Sequence, residues 1–168
     1  MLDNIVNSMN HEDTLNPDQL LPYQAQRLKE LLGDILLCCQ GRMVHQSRKF
    51  NLPQSELNCL MLFLSQPYLT VKHISAKLEV AKSRVSKILD GLEEKGLIQR
   101  SQDPTDARVR LVSLTPAGQK KAAAISEFIS EIHQLLLAQL QPEQRQEVLS
   151  SLEVLHASME AIKSRMSF

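Results

Sequence analysis

The chain has 168 residues, in which 19 Lys and Arg balance 19 Asp and Glu, and 43% of the residues are apolar. That length suits one compact domain, or a small domain with long helical extensions, and leaves no room for a second catalytic domain. Apolar runs such as LMLFL at 60–64 and LLLA at 135–138 fall far short of the roughly 20 residues that a membrane span needs. The opening MLDNIVNSMNHEDTLNP has no basic region followed by a sustained apolar one, so it does not read as a signal peptide, and a cytoplasmic protein is expected.

Residues 1–16 are polar and read as a flexible tail. From 22 to 49, Leu28, Leu31, Leu32, Ile35 and Leu36 recur at three- and four-residue spacing, which predicts a long amphipathic helix. Pro53 suits the first turn of a second helix, whose stripe is Leu57, Leu60, Met61 and Leu64 and which ends at Gln66-Pro67. Two short helices follow. Val71, Ile74 and Leu78 define the first, Val85, Ile88, Leu89 and Leu92 define the second, and Glu79-Val80-Ala81 forms the turn between them, which is helix-turn-helix spacing.

The second short helix stops at Lys95-Gly96, where Gly permits a left-handed cap. Leu97-Ile98-Gln99-Arg100 and Arg110-Leu111-Val112-Ser113-Leu114 then read as two strands, with Val112 and Leu114 on one face. The connection holds Asp103-Pro104, a turn initiator. A β-hairpin attached directly to a helix-turn-helix is a winged helix, so the fold class is mostly α with a small β-hairpin wing. Thr115-Pro116 opens a further helix with Ile125, Phe128, Ile129, Ile132, Leu135 and Leu136 inward. Pro142 opens the last one, on which Val148, Leu152, Leu155, Met159, Ile162 and Met166 are spaced 4, 3, 4, 3, 4, an a/d seam that calls for a partner helix.

Charge is unevenly distributed along this neutral chain. Residues 70–110 carry nine basic and six acidic side chains, a net +3 that leaves −3 elsewhere, which is a footprint for phosphate binding. On the second short helix the apolar residues take one face, leaving Lys82, Ser83, Arg84, Ser86 and Lys87 for a partner. Such a helix fits the major groove of B-DNA, where Lys and Arg bind guanine or phosphate and Ser bonds to either. On the hairpin, Arg108 is long and planar enough to enter the minor groove. Asp106, two residues earlier on the same strand face, is placed to orient its guanidinium, and Arg110 adds a further cation.

The run SAKLEVAKSRVSKILDGLEEKGLIQRSQDPTDARVRLVSLTPAG at 75–118 resembles the DNA-binding core of the MarR family of bacterial transcription regulators. The most specific matches are Asp106-Ala107-Arg108, a D-x-R wing, and Leu114-Thr115 with Gly118, an L-T-x-x-G entry into a long helix. Two positions depart from the family pattern. Ala81 stands where relatives place a capping Ser or Thr, and Asp103-Pro104-Thr105 lacks a second basic residue. The resemblance implies a winged helix-turn-helix lobe at 53–115, flanked by helical dimerisation regions at 17–50 and 116–168. It implies a homodimer on double-stranded DNA at a pseudo-palindromic operator, acting as a repressor that answers to a small-molecule effector, with no effector-binding residue assigned.

Other readings have their own signals. Cys38, Cys39 and Cys59 are odd in number and have no C-x-x-C spacing, against a disulfide scaffold or zinc knuckle. They read as buried small hydrophobes, with oxidant sensing as the alternative. His11, His45, His73, His133 and His156 are scattered, and no G-x-S-x-G or H-E-x-x-H appears, so neither an enzyme, a metal site nor a cofactor is expected. A metal- or redox-sensing winged helix and a helical adaptor that ignores DNA are the alternatives.

Overall fold

The computed structural model describes residues 16–102, 106 and 109–166. The expected tail, apart from Asn16, lies outside the described residues, as do Asp103, Pro104, Thr105 and Arg108. The chain separates into two units, Met1–Gln54 and Ser55–Phe168.

The first unit is one helix, α1 (Pro17–Phe50), 34 residues long. It starts at Pro17 rather than at the expected Pro22, because Pro22 sits so near the N-terminus that it forfeits a single N–H bond. Asn51 closes it in the left-handed region (φ 51°) with its N–H turned back to the carbonyl of Arg48, and Arg48 and Lys49 complement the negative end. Leu28, Leu31, Ile35 and Leu36 form the expected stripe, and all four are exposed. A Cβ added at Gly33 or Gly41 meets nothing within 4 Å.

The second unit contains α2 (Gln54–Leu62), β1 (Leu69–Thr70), α3 (Val71–Leu78), α4 (Lys82–Glu94), β2 (Ile98–Gln102), β3 (Arg110–Leu114), α5 (Pro116–Ala138) and α6 (Pro142–Met166). α2 stops earlier than expected, so Leu64 falls in a turn and is exposed, while Phe63 is the buried residue there. The strands form one antiparallel sheet in the order β1-β3-β2. Leu69 pairs with Val112, Arg100 with Val112 and Ile98 with Leu114. The two-residue β1 is too short to produce a period-two pattern, and only its partner β3 makes it a strand. β2 reaches Gln102 instead of ending at Arg100.

The core lies between α2, α3, α4, β3 and the start of α5: Leu57, Leu60, Ile74, Val85, Leu89, Leu92, Val112 and Ile125 are fully buried. Thr115 joins this core to α5. Its N–H donates to the Leu97 carbonyl (3.1 Å), its hydroxyl donates to the Gly96 carbonyl (2.6 Å), and its Oγ1 accepts from the Gly118 N–H (3.0 Å). The Leu97 carbonyl is packed so closely on α5 that a Cβ at Gly118 would lie 1.8 Å from it. No side chain fits there, which accounts for the glycine in the L-T-x-x-G pattern.

On α5 the inward expectation is met by the buried Ile125 and the half-buried Phe128, Ile129 and Ile132. It fails at Leu135 and Leu136, which are 65% and 64% exposed, because the core of this unit ends before that turn. No residue of α6 is buried.

These backbone constraints have opposite consequences at two glycines. Gly118→Ala is expected to lower the urea midpoint at an unchanged m-value, by about 2–3 kcal/mol of overpacking. Gly41→Ala, in open helical space, is expected to raise it by about 0.5–1 kcal/mol through reduced unfolded-chain entropy. Equal midpoints for the two variants would contradict the packing described.

Candidate nucleic-acid interface

The turn ahead of α4 is fixed by short-range bonds. Thr70 caps α3 by accepting from the His73 N–H (3.2 Å), Glu79 ends it at φ 53°, and the Ser75 hydroxyl donates to the Val80 carbonyl (2.6 Å). These bonds set where α4 starts. Val85, Ile88, Leu89 and Leu92 are its buried face. Lys82, Ser83, Arg84, Ser86 and Lys87 all lie exposed in its N-terminal half, as expected. Ser86 donates to the Lys82 carbonyl (3.1 Å), which tethers one hydroxyl to the helix itself.

Ala81 is the N-cap residue, with extended backbone (φ −60°, ψ 147°) and no side-chain bond to the first turn. Its carbonyl accepts from the N–H groups of Arg84 (2.9 Å) and Val85 (3.1 Å). The first turn holds no acid and the last turn no base. Lys82 and Arg84 therefore stand at the positive end of the helix dipole, where each cation costs about 0.3–1 kcal/mol at an exposed site. An anion placed there reverses that sign, since it meets the dipole, the open N–H groups and the cations together.

Two cations counted in the charge footprint point elsewhere. Arg100 on β2 reaches Asp90 Oδ1 at 2.5 Å and Glu93 Oε2 at 3.4 Å, both on α4. Its guanidinium ties the root of the wing to α4. Lys95 Nζ bonds Glu56 Oε1 of α2 at 2.9 Å and the Gly91 carbonyl at 3.2 Å. Glu56 is buried, its Oε2 has no hydrogen-bond partner, and a Cβ at Gly91 would come within 2.5 Å of its Oε1. Gly91 thus lets α4 settle onto a buried carboxylate. The Lys95 clamp was not legible beforehand, since only the fold brings residues 39 positions apart together. The Asp90 and Arg100 pairing had a faint signal in the helix-to-hairpin connection, which is short enough to return β2 along α4.

At the wing, β3 begins at Arg110, which is exposed and paired with Gln102. Asp106 is exposed, and its carbonyl accepts the Val109 N–H (2.9 Å). It therefore precedes β3, because the chain closes a tight bond there before the ladder starts. Arg108 itself lies outside the described residues.

The cysteines differ from one another. Cys59 is fully buried, and burial, followed by the charge of Glu56, pushes its thiol up to about 12. Cys38 is exposed, against expectation, because α1 presents it on an open face, and Cys39 is half-buried with the Arg42 guanidinium donating to its Sγ at 3.8 Å. Among the described residues no group of three or more His, Cys, Asp or Glu could hold a metal ion, and no helix is long and apolar enough to cross a membrane.

Residues 52–109 match the model of the MarR family. The chain is 26% identical over 153 residues to the HTH-type transcriptional regulator YfiV of Bacillus subtilis, covering 91% of this chain and 96% of that one. Among solved structures, it is similar to the MepR–DNA complex of Staphylococcus aureus, with a TM-score of 0.64 and 25% identity over 79% of this chain and 97% of that one. A MarR family protein from Bacillus stearothermophilus has the same fold, with a TM-score of 0.74 and 22% identity over 83% and 97% of the two chains. The helix-turn-helix, its three-stranded wing sheet and these likenesses agree: residues 52–109 carry a MarR-family winged helix, and the chain is similar over most of its length to bacterial HTH-type transcriptional regulators.

Proposed function

We propose that the chain acts in the cytoplasm as a homodimeric, effector-responsive repressor on a pseudo-palindromic operator. Lys82, Ser83, Arg84, Ser86 and Lys87 enter the major groove, and Asp106, Arg108 and Arg110 bring the wing to the adjacent minor groove. The observation that carries this reading is the exposed cationic start of α4 above a fully buried apolar face. A helix charged against its own dipole gains from a phosphate what it loses alone. The MepR likeness supports it as well, since that protein has been solved bound to DNA.

The dimer reading is supported by the seam on α6. Val148, Leu152, Met159, Ile162 and Met166 are each 40% or more exposed in the isolated chain, a cost in apolar surface that a second copy removes. Two-fold symmetry then sets the recognition helices about 34–36 Å apart, one turn of DNA. An effector that alters this spacing by a coupling of about 1–3 kcal/mol acts as a switch.

On a duplex selected from random sequence, Arg108→Ala is expected to weaken specific binding by about 1–3 kcal/mol, and Lys82→Ala to lower the slope of log affinity against log salt by about 1. Fluorescence anisotropy across a salt series checks both, and unchanged values in both variants would contradict the interface. For the dimer, light scattering is expected to give twice the chain mass for the wild type and a monomer–dimer mixture for Leu152→Lys/Met159→Lys. A wild-type monomer at micromolar concentration would overturn it.

A further inference from the structure

The exposed side chains in the N-terminal half of α4 are chemically one-sided. From 82 to 87 they are Lys82, Ser83, Arg84, Ser86 and Lys87, with Val85 buried beneath them. None is Asn or Gln, the amides that pair with both polar groups of adenine, and none is apolar, as contact with the thymine methyl requires. An acceptor for the cytosine amino group is missing from this end as well. Asp90, the next exposed residue, and Glu93 are both engaged by the Arg100 guanidinium, at 2.5 and 3.4 Å, and Glu94 is the last residue of the helix. The Ser86 hydroxyl proton is spent on the Lys82 carbonyl.

Arg84 and Lys87 stand in contrast to the cations that the fold consumes. Among the described residues neither has a carboxylate partner, whereas Arg100 and Lys95 both do. They are three residues apart, neighbours on the helix surface separated by about 4.5 Å along its axis. Base pairs are stacked about 3.4 Å apart, so two such side chains fall on adjacent base pairs or on pairs one step removed. Guanine suits them best, because it presents two acceptors, O6 and N7, to the major groove, and an Arg fork or a Lys ammonium spans both. Lys82 differs in place. It is the first residue of α4, beside the N–H groups that Ala81 leaves uncapped, where a phosphate meets all of the positive charge at once.

We infer that Arg84 and Lys87 are the specificity-determining pair of this interface, each reading one of two closely spaced guanines in every half-site, while Lys82 anchors the DNA backbone. The assignment rests on the major-groove reading of α4 and adds to it the base that the helix selects.

The test selects duplexes for the wild-type chain from a random-sequence pool and reads the base preferred at each position. The expected result is a half-site that fixes two guanines within about two base pairs of each other. Replacing either by 7-deazaguanine, which keeps its base pairing and lacks N7, is expected to weaken binding by about fivefold or more. Selection repeated with Arg84→Ala and with Lys87→Ala should in each case lose one guanine preference and keep the other, whereas Lys82→Ala should keep both and weaken all duplexes alike. Half-sites without paired guanines, full affinity for the 7-deazaguanine duplexes, or alanine variants of Arg84 and Lys87 that keep both preferences would overturn the assignment and leave DNA binding by α4 standing. Failure of the wild-type chain to retain any duplex at low salt would overturn the regulator reading, and the guanine-reading pair with it.

Discussion

The candidate interface depends on an electrostatic mismatch at the start of one helix. α4 begins after Ala81, which has no side-chain oxygen to cap it, and then places Lys82 and Arg84 in the first turn. The missing cap costs about 0.5–2 kcal/mol and each cation about 0.3–1 kcal/mol. Together they leave an uncapped, positively charged helix end on the surface of a small lobe. Such an end is poor for the folded chain by itself and well matched to a polyanion.

The rest of the lobe holds that end in place. The αL residue Glu79 and the Ser75 hydroxyl fix the turn that delivers it. Glu56, Lys95 and Gly91 seat the far half of α4 on α2, and Arg100 ties that same half to β2. The Arg100 pairs are partly solvated, so their contribution is mainly geometric: they keep wing and helix from turning independently, while burial of Leu57, Leu89, Leu92 and Val112 supplies the stability. Thr115 and Gly118 then carry this rigidity into α5.

Much of this was readable from local pattern. The three- and four-residue periodicity located the helices, and the face opposite Val85, Ile88, Leu89 and Leu92 identified Lys82, Ser83, Arg84, Ser86 and Lys87 as outward residues, because buried and exposed faces of one helix are set by spacing alone. What pattern missed was non-local. β1 exists only through its pairing with β3, and Leu64 leaves the α2 stripe because the chain turns two residues earlier than the apolar run does. Arg100 and Lys95 look like DNA cations in a charge count, yet both are consumed by carboxylates that the fold brings to them. The exposure of Leu135 and Leu136 also escaped periodicity, which shows that a face is apolar but not which molecule covers it.

The mismatch at α4 is tested most directly by urea unfolding of Lys82→Glu/Arg84→Glu with and without a saturating duplex. The reversed charges should raise the midpoint above wild type in the absence of DNA, since acids suit the first turn, and should remove the further rise that DNA gives the wild type. A midpoint at or below wild type without DNA, or an undiminished rise with it, would contradict the trade of helix stability for DNA affinity.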